Sequence, residues 1–246
     1  IDAIADFETV ETELMLADLE SLEKRRVALE KKAKGQDKEA KALLVLVDRA
    51  LDELREGRPA RNAEISDDEA KDWSGLQLLT SKPVLFVANV DEGAAASGNE
   101  YSKLVETRAD EEGAGAVVIS AKIESELAQL SDEEQAEYLE TIGLDEPGLN
   151  RLISAGFDLL GLQTYFTAGP KESRAWTVRR GATAPQAAGV IHTDFEKGFI
   201  RAETISFEDY ISLSGEQGAK EAGKMRLEGK DYIVKDGDVM HFRFNT

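Results

Sequence analysis

Residues 84–92 have the sequence Val-Leu-Phe-Val-Ala-Asn-Val-Asp-Glu, and the fold class follows from this stretch. Val84 to Val90 is a nearly continuous run of apolar, β-forming residues, which is typical of a strand buried on both faces of a parallel sheet. A second such run, Ala116 to Ser120, comes after a helical pattern over residues 100–112. Because strand, helix and strand alternate here, the sequence predicts part of an α/β doubly wound sheet.

Polar residues follow both apolar runs directly. Asn89-Val90-Asp91-Glu92 ends the first run, and Ser120-Ala121-Lys122 ends the second. In doubly wound sheets, ligands bind in the crevice at the carboxyl ends of the strands. The two segments resemble the base-recognition loops of P-loop GTPases, in which Asn-Lys-x-Asp reads guanine and Ser-Ala-Lys supports it from the neighbouring strand. The candidate base-binding residues are Asn89, Val90, Glu92, Ser120, Ala121 and Lys122.

This sequence departs from the guanine pattern at two positions. Val90 replaces the lysine whose stem lines the base, and Glu92 replaces the aspartate. A carboxylate only accepts hydrogen bonds, so it suits the N–H donors of guanine better than adenine, which has an acceptor at N1 and a donor at N6. Because the longer glutamate re-aims that carboxylate, we expect adenine to be preferred. The alternative is that Asn89 caps a strand-to-helix turn and Glu92 is a solvated loop residue.

The N-terminal part of the chain has the pattern of a coiled-coil hairpin. Apolar residues repeat at steps of three and four over residues 8–34 and again up to about Glu56. Gly35 fits the end of the first helix, and Asp37 fits the N-cap of the second. Ser66 and Glu69 then form a capping-box pattern ahead of a third helix, which contains Trp73, Leu76 and Leu79 and stops at Pro83.

After Gly161 the pattern changes to short strands and short helices. Strands are predicted at 164–168, 174–179 and 199–204, and a closing pair at 231–234 and 239–244. Helices are predicted near 184–191 and 206–224. The predicted domains are therefore a helical hairpin over 1–62, the rear part of a P-loop NTPase domain over 63–162 and a small α+β unit over 163–246.

A phosphate-binding loop needs Gly-x-x-x-x-Gly-Lys-Ser/Thr between a strand and a helix. The nearest match is Gly218-Ala-Lys-Glu-Ala-Gly-Lys224, which Met225 follows. Methionine cannot ligate Mg²⁺ as a hydroxyl does, and no apolar strand precedes this stretch, so a surface helix and turn are expected there. Since the chain starts at Ile1 inside a helical pattern, a further segment is expected upstream, although an engineered or processed start would look the same. We assign no catalytic residue and expect no hydrolysis by this chain alone.

The net charge of −19 is unevenly distributed along the 246 residues. Residues 1–162 carry 18 basic and 37 acidic side chains, whereas residues 163–246 carry 12 of each. Basic residues gather around the predicted hairpin tip and could meet phosphate backbone, although a charge run on a helix is usually a solvated face. The candidates for contact with RNA or ribosome are Lys31, Lys32 and Lys34 at the tip, and Arg179 and Arg180 within a C-terminal set that also holds Lys171, Arg174, Lys197 and Arg201. Phe195 and Phe199 could stack on bases, but core packing is the better expectation for both.

Composition excludes several classes of site. The absence of cysteine excludes disulfides and thiolate metal sites, and two distant histidines, His192 and His241, argue against a histidine-built metal site. No apolar run approaches the roughly 20 residues needed to span a bilayer. These features predict a cytoplasmic protein without a metal site of its own.

Long runs of this sequence resemble the YchF family, also called Obg-like ATPases. They include Glu146-Pro-Gly-Leu-Asn-Arg151, Gly181-Ala-Thr-Ala-Pro-Gln-Ala-Ala-Gly189 and Ile191-His-Thr-Asp-Phe-Glu-Lys-Gly-Phe-Ile-Arg201. The resemblance implies a P-loop domain with a coiled-coil insertion, followed by a TGS domain, a ubiquitin-like β-grasp module. In that family Asn-x-x-Glu is the adenine-reading motif, which corresponds to Asn89, Val90 and Glu92 here.

The resemblance also implies a function. Proteins of this family hydrolyse ATP in preference to GTP, use Mg²⁺, bind ribosomes and act in translation or stress responses. We therefore expect an ATP-binding, monomeric partner of the ribosome or of structured RNA. The alternative is a non-catalytic ribosome- or RNA-binding module with a vestigial nucleotide loop. A third possibility, the TGS unit of an aminoacyl-tRNA or alarmone synthetase, lacks any supporting catalytic signature.

Overall fold

The structure is a computed structural model that describes residues 2–170 and 172–245. The chain divides into two compact units, Ile1–Leu152 and Ile153–Thr246. The finer division predicted after residues 62 and 162 stays a proposal. Among the described residues, no helix combines the length and the apolar character that crossing a membrane requires.

The first unit begins with the predicted helical hairpin, which the structure confirms. Helix α1 spans Ala3–Lys34 and helix α2 spans Lys38–Arg55. The Asp37 side chain accepts a hydrogen bond from the Ala40 N–H at 3.1 Å and so caps α2 as predicted. The two helices bury a shared apolar seam, whose fully buried members include Leu22, Val47, Ala50 and Leu51.

The first helix ends at Gly35, as predicted, and a left-handed residue follows it in the turn. Gly35 has an ordinary φ of −79°, and the next residue, Gln36, takes the left-handed conformation with φ 66°. Helices commonly end on such a left-handed residue, and glycine is preferred there because it has no Cβ. The glycine therefore lies one position before the site that needs it.

The predicted third helix is shorter than expected. Helix α3 covers only Ala70–Ser74, so Leu76 and Leu79 lie beyond it. Gln77 has a left-handed φ of 57°, which ends the helical path. The buried Asp18 of α1 then accepts the Leu79 and Thr80 N–H groups at 2.9 and 2.8 Å, so these donors are used by a side chain and not by a helix. The capping contact between Ser66 and Glu69 is present at 2.9 Å.

The α/β part of the first unit contains two parallel strands, β1 at Leu85–Asn89 and β2 at Gly115–Ile119. Helix α4, Glu100–Glu111, connects them, and α5 (Ala121–Leu127) and α6 (Asp132–Ile142) follow. The next helix, α7 (Gly148–Leu159), begins in the first unit and ends in the second. The Phe86 ring lies 4.8 Å from the Phe7 ring of α1, whereas Val87 on the opposite face is 44% exposed. The prediction that the first strand is buried on both faces is therefore wrong for the described chain, because only the Phe86 face is well covered.

The second unit is a mixed sheet of five strands in the order β4-β3-β7-β5-β6. The strands are β3 (Leu162–Ala168), β4 (Ser173–Arg179), β5 (Phe199–Ser206), β6 (Arg226–Glu228) and β7 (Asp238–Phe244). The helices are α8 (Ala184–Ile191), α9 (Thr193–Lys197), α10 (Phe207–Ser212) and α11 (Glu216–Glu221). Strand β7 runs parallel to β3 and antiparallel to β5. With α8 packed on one face, this order is that of the predicted ubiquitin-like β-grasp fold.

One prediction for this unit is wrong, and one strand was not predicted. Residues 231–234 do not form a strand with 239–244, since Ile233 makes only an isolated antiparallel bridge to Thr183. The partners of β7 are instead the distant strands β3 and β5, and β6 was not predicted. A turn such as Lys235–Asp238 marks a change of direction but does not determine which strands then pair. The core beneath the sheet contains Tyr165, Ala187, Ala202 and Met240.

Candidate base-binding site

The structure brings the two predicted loops together at the carboxyl ends of β1 and β2. Asn89 is the last residue of β1, and its register partner is Ile119, the last residue of β2. The Asn89 Oδ1 atom accepts a hydrogen bond from the Ala121 N–H at 2.9 Å. Because Oδ1 is used in this way, the amide nitrogen of Asn89 keeps its two N–H groups available as donors.

Val90 supports the loop from the backbone. Its N–H donates to the Ile119 carbonyl oxygen at 2.8 Å, which extends the β1–β2 pairing by one step. Its side chain is only 9% exposed. Val90 therefore holds the start of the loop in place and presents little side-chain surface to a ligand.

Glu92 and Lys122 form an ion pair across the two loops. The Lys122 Nζ atom lies 2.7 Å from Glu92 Oε1, and both side chains are open to solvent, with exposed fractions of 67% and 44%. The hydrogen bond to Glu92, followed by the charge of its carboxylate, raises the pKa of Lys122. The sequence predicts both residues at the site but not their pairing. The available signal was their opposite charge at the ends of two adjacent strands.

Ser120 lies between β2 and α5, two residues before Lys122 in the chain. The residue is 2% exposed, and its Oγ atom has no hydrogen-bond partner among the described residues. Buried hydroxyl groups are nearly always satisfied by protein, water or ligand. Because this Oγ atom has almost no accessible surface, it offers no contact to a ligand in this structure.

A second carboxylate, which the sequence analysis did not single out, fixes the helix behind the site. Glu124 of α5 accepts hydrogen bonds from the Gly148 N–H at 2.8 Å and the Leu149 N–H at 3.1 Å, at the start of α7. A Cβ atom on Gly148 would lie 2.9 Å from Glu124 Oε1 and 3.0 Å from Ile119 Cγ2. Glycine at 148 thus allows α7 to approach the end of β2 closely.

The near-match to a phosphate loop is a helix and a turn, as predicted. Gly218 lies in α11, and Gly223 takes a left-handed φ of 68° in the turn that follows. The Lys224 ammonium lies 3.4 Å from an Asp209 oxygen. The lysine of this stretch therefore has a local acidic partner within the second unit.

The predicted basic residues at the hairpin tip lie on the surface. Lys31, Lys32 and Lys34 occupy the last turn of α1, are exposed, and make no ion pair within the described chain. Other members of the same basic run are neutralised, since Lys24 pairs with Glu20 and Arg26 pairs with Asp48. The uncompensated charge is therefore concentrated at the tip.

In the second unit, Arg179 and Arg180 differ in their surroundings. Arg179 ends β4 and is exposed, whereas Arg180 forms an ion pair with Asp158. The Phe195 ring stacks on Phe244 with centroids 3.8 Å apart, and Phe199 is 4% exposed, so both aromatic residues serve core packing as expected. Lys171 lies outside the described residues.

One group of side chains could supply ligand atoms to a metal ion. Glu203 of β5, Glu216 of α11 and His241 of β7 each place one such atom within 4.8 Å of the others. Arg243 donates to both Glu203 oxygens at 2.9 and 3.3 Å, and this ion pair lowers the pKa of Glu203. Since the carboxylate already has a cationic partner, we assign no metal to this group.

The chain is similar to known proteins over its whole length. Residues 162–245 match the YchF-GTPase_C family, which is described as a protein of unknown function (DUF933). The chain is 56% identical over 246 residues to the ribosome-binding ATPase YchF of Haemophilus influenzae, covering all of this chain and 68% of the relative. It is 51% identical over 248 residues to the protein of the same name from Bacillus subtilis, with the same coverage.

The fold is also found in a solved structure, the YchF GTPase of Schizosaccharomyces pombe. The TM-score is 0.85 at 31% identity, and the match covers 99% of this chain and 66% of that one. This chain therefore spans about two thirds of the length of the proteins it matches. Given identities above 50% over its whole length, the chain belongs to the YchF family.

Proposed function

We propose that this chain is part of a P-loop nucleotide hydrolase that binds ATP in preference to GTP and works on the ribosome. The observation that carries the proposal is the assembled strand-end site, in which Asn89 and Glu92 from one loop meet Ala121 and Lys122 from the next. The similarity to relatives named ribosome-binding ATPases supports it. A role in translation or in stress responses follows from the proposed ribosomal partner.

The residues present suit a purine base. The free amide N–H groups of Asn89 can donate to a ring nitrogen, and the carboxylate of Glu92 can accept from an exocyclic amine. Mg²⁺ is expected to accompany the nucleotide phosphates, but we assign none of this chain's residues to it. We also propose that the chain cannot hydrolyse nucleotide without a phosphate-binding segment outside its 246 residues.

The proposed partners besides ATP are ribosomal or structured RNA. The exposed lysines at the hairpin tip offer uncompensated positive charge in a unit that is otherwise acidic. Such charge attracts the phosphate backbone and releases counterions on binding. We propose a monomeric, cytoplasmic protein for this role.

The test is a comparison of ATP and GTP affinities by isothermal titration with the intact protein. Tighter binding of ATP is expected, and tighter binding of GTP would overturn the base preference. The second candidate, a non-catalytic module, predicts ribosome co-sedimentation without nucleotide and no hydrolysis even when every segment of the protein is present. A measurable ATPase rate excludes that candidate.

A further inference from the structure

We propose that Lys122 is a positioning residue for base selection, because it holds and partly occupies the Glu92 carboxylate. This inference rests on the proposed function and assigns a specificity-determining role within it. The geometry behind it is the 2.7 Å contact between Lys122 Nζ and Glu92 Oε1, which joins the loop after β1 to the first turn of α5.

The two oxygens of the Glu92 carboxylate are the hydrogen-bond acceptors for the base, and Lys122 contacts one of them. A free carboxylate can accept two parallel hydrogen bonds, which matches the N1–H and exocyclic N2–H donors of guanine. In this site Oε1 of Glu92 already faces an ammonium group, so Oε2 is the oxygen left unshared. Adenine needs a single acceptor, for its N6 amine. The ammonium group therefore competes with guanine for Oε1 and weakens one of its two charge-assisted hydrogen bonds, whereas adenine can use Oε2 alone.

The ammonium group itself is a donor that lies directly beside the carboxylate acceptor. Adenine presents the complementary pair, which is a donor at N6 next to an acceptor at N1. Guanine has a donor at N1. This N–H group and the ammonium group would face each other, and neither would have an acceptor. Such a mismatch discriminates strongly in a desolvated site. Both effects of Lys122 thus act in the same direction, against guanine.

Fold stability does not account for the pair. Both side chains are well exposed, and exposed ion pairs contribute little to stability. The neighbouring contacts that hold the loops, from Asn89 to Ala121 and from Val90 to Ile119, do not involve Lys122. Replacing the lysine is therefore expected to leave the fold intact, so that its effect on nucleotide binding can be measured.

A competing role for Lys122 is to pack its aliphatic stem against the base. That role predicts an equal loss of ATP and GTP affinity when the stem is removed, with no change in their ratio. Lys122→Met separates the two roles, since methionine keeps an unbranched stem and removes the ammonium. Lys122→Arg keeps the charge next to Glu92 and is the matched control.

The experiment measures dissociation constants for ATP and GTP with the intact wild-type protein, Lys122→Met and Lys122→Arg. Lys122→Met is expected to shift the affinity ratio toward GTP by about 10-fold, the value of one charge-assisted hydrogen bond. Lys122→Arg is expected to keep the wild-type ratio. The methionine effect should disappear in a Glu92→Gln background, because both effects need the carboxylate, which shares Oε1 with the lysine and holds the ammonium group beside the base.

The outcomes distinguish this inference from the proposed function. A wild-type preference for ATP with an unchanged ratio in Lys122→Met overturns the inference alone. A shift of the ratio that persists in Glu92→Gln also overturns it, since the lysine then acts without the carboxylate. A wild-type preference for GTP overturns the proposed function, while the methionine shift still tests the lysine. Failure of the wild type to bind either nucleotide overturns both.

Discussion

The Asp18 carboxylate accepts a hydrogen bond from the Thr80 hydroxyl at 2.7 Å, across 62 positions of the chain. The same carboxylate also accepts the backbone N–H groups of Leu79 and Thr80, and both Asp18 and Thr80 are almost fully buried. Thr80 in turn accepts the Ala60 N–H through its hydroxyl oxygen, at 3.1 Å. One side chain of α1 thus fixes the segment that leads into β1.

Replacement of Asp18 by asparagine is expected to lower the free energy of unfolding by about 2–3 kcal/mol. An amide has one acceptor oxygen, so at least one buried N–H or O–H group loses its partner. Chemical denaturation of the two proteins measures the difference. Asp52→Asn, at an exposed position of α2, is the control and should change stability little. Equal stability of wild type and Asp18→Asn would refute the proposed anchoring.

Replacement of Lys31, Lys32 and Lys34 by glutamate is expected to weaken ribosome or RNA binding and to flatten its salt dependence. Each phosphate contact contributes about 0.9 to the slope of log affinity against log salt. Binding is measured at several salt concentrations. The triple variant Lys71→Glu, Lys82→Glu and Lys103→Glu changes the net charge equally at exposed positions away from the tip. An equal effect of both triple variants would show that net charge alone matters.

Arg179 and Arg180 are expected to contribute unequally to nucleic-acid binding. Arg179 is exposed, whereas Arg180 is held by Asp158, so Arg179→Gln should reduce RNA affinity more than Arg180→Gln. The assay is RNA binding at fixed low salt. Arg58→Gln is the control, because Glu53 and Glu56 both bind this arginine in the first unit. A larger loss in Arg180→Gln would contradict the expectation.

Gln36→Gly is expected to raise the free energy of unfolding by about 1 kcal/mol, since the left-handed conformation at φ 66° strains a residue that has a Cβ. Gly57→Ala is the matched control, because it adds a Cβ atom at a left-handed residue instead of removing one. Gly57 has φ 74° and open space around it, so a methyl group there meets no neighbour and costs only the backbone strain. Thermal unfolding should therefore move in opposite directions for the two variants. A shift in the same direction would mean that the backbone conformation is not the cause.

The stability contributed by Glu69 is expected to depend on pH. Hydrogen bonds from the Ser66 N–H, Arg49 and the Ser66 hydroxyl lower the pKa of Glu69 from 4.5 to about 2. A lowered pKa favours the folded protein above pH 4.5, and this contribution disappears as the pH falls toward 2. The stability difference between wild type and Glu69→Gln should therefore shrink over that interval. Glu64→Gln, at an exposed position nearby, serves as the control.

Most helices and strands of this fold were predictable from the sequence, because apolar spacing and helix caps involve residues that are close together in the chain. The hairpin helices follow from apolar spacing and from the Asp37 cap, and both base loops follow from the ends of two apolar runs. The approach of Asn89 to Ala121 was predictable in outline, because parallel strands end at the same edge of a sheet.

Features that depend on distant partners were not predictable in this way. The third helix is shorter than predicted. The sequence does not reveal that Asp18 accepts hydrogen bonds from the N–H groups of Leu79 and Thr80. The closing strand pair was wrong because β7 pairs with strands far away in sequence. The ion pair of Glu92 and Lys122 depends on side-chain directions at the ends of two loops, which no spacing rule supplies.

The position of β7 has a consequence for synthesis. The other four strands of the sheet precede it in the chain, yet β7 lies between β3 and β5. A nascent chain that has left the ribosome only as far as Lys235 contains the strands of the β3–β4 and β5–β6 pairs. It lacks β7, which lies between these two pairs in the sheet. The second unit therefore closes only when its last strand emerges, and until then the order of translation delays folding of everything from β3 onward.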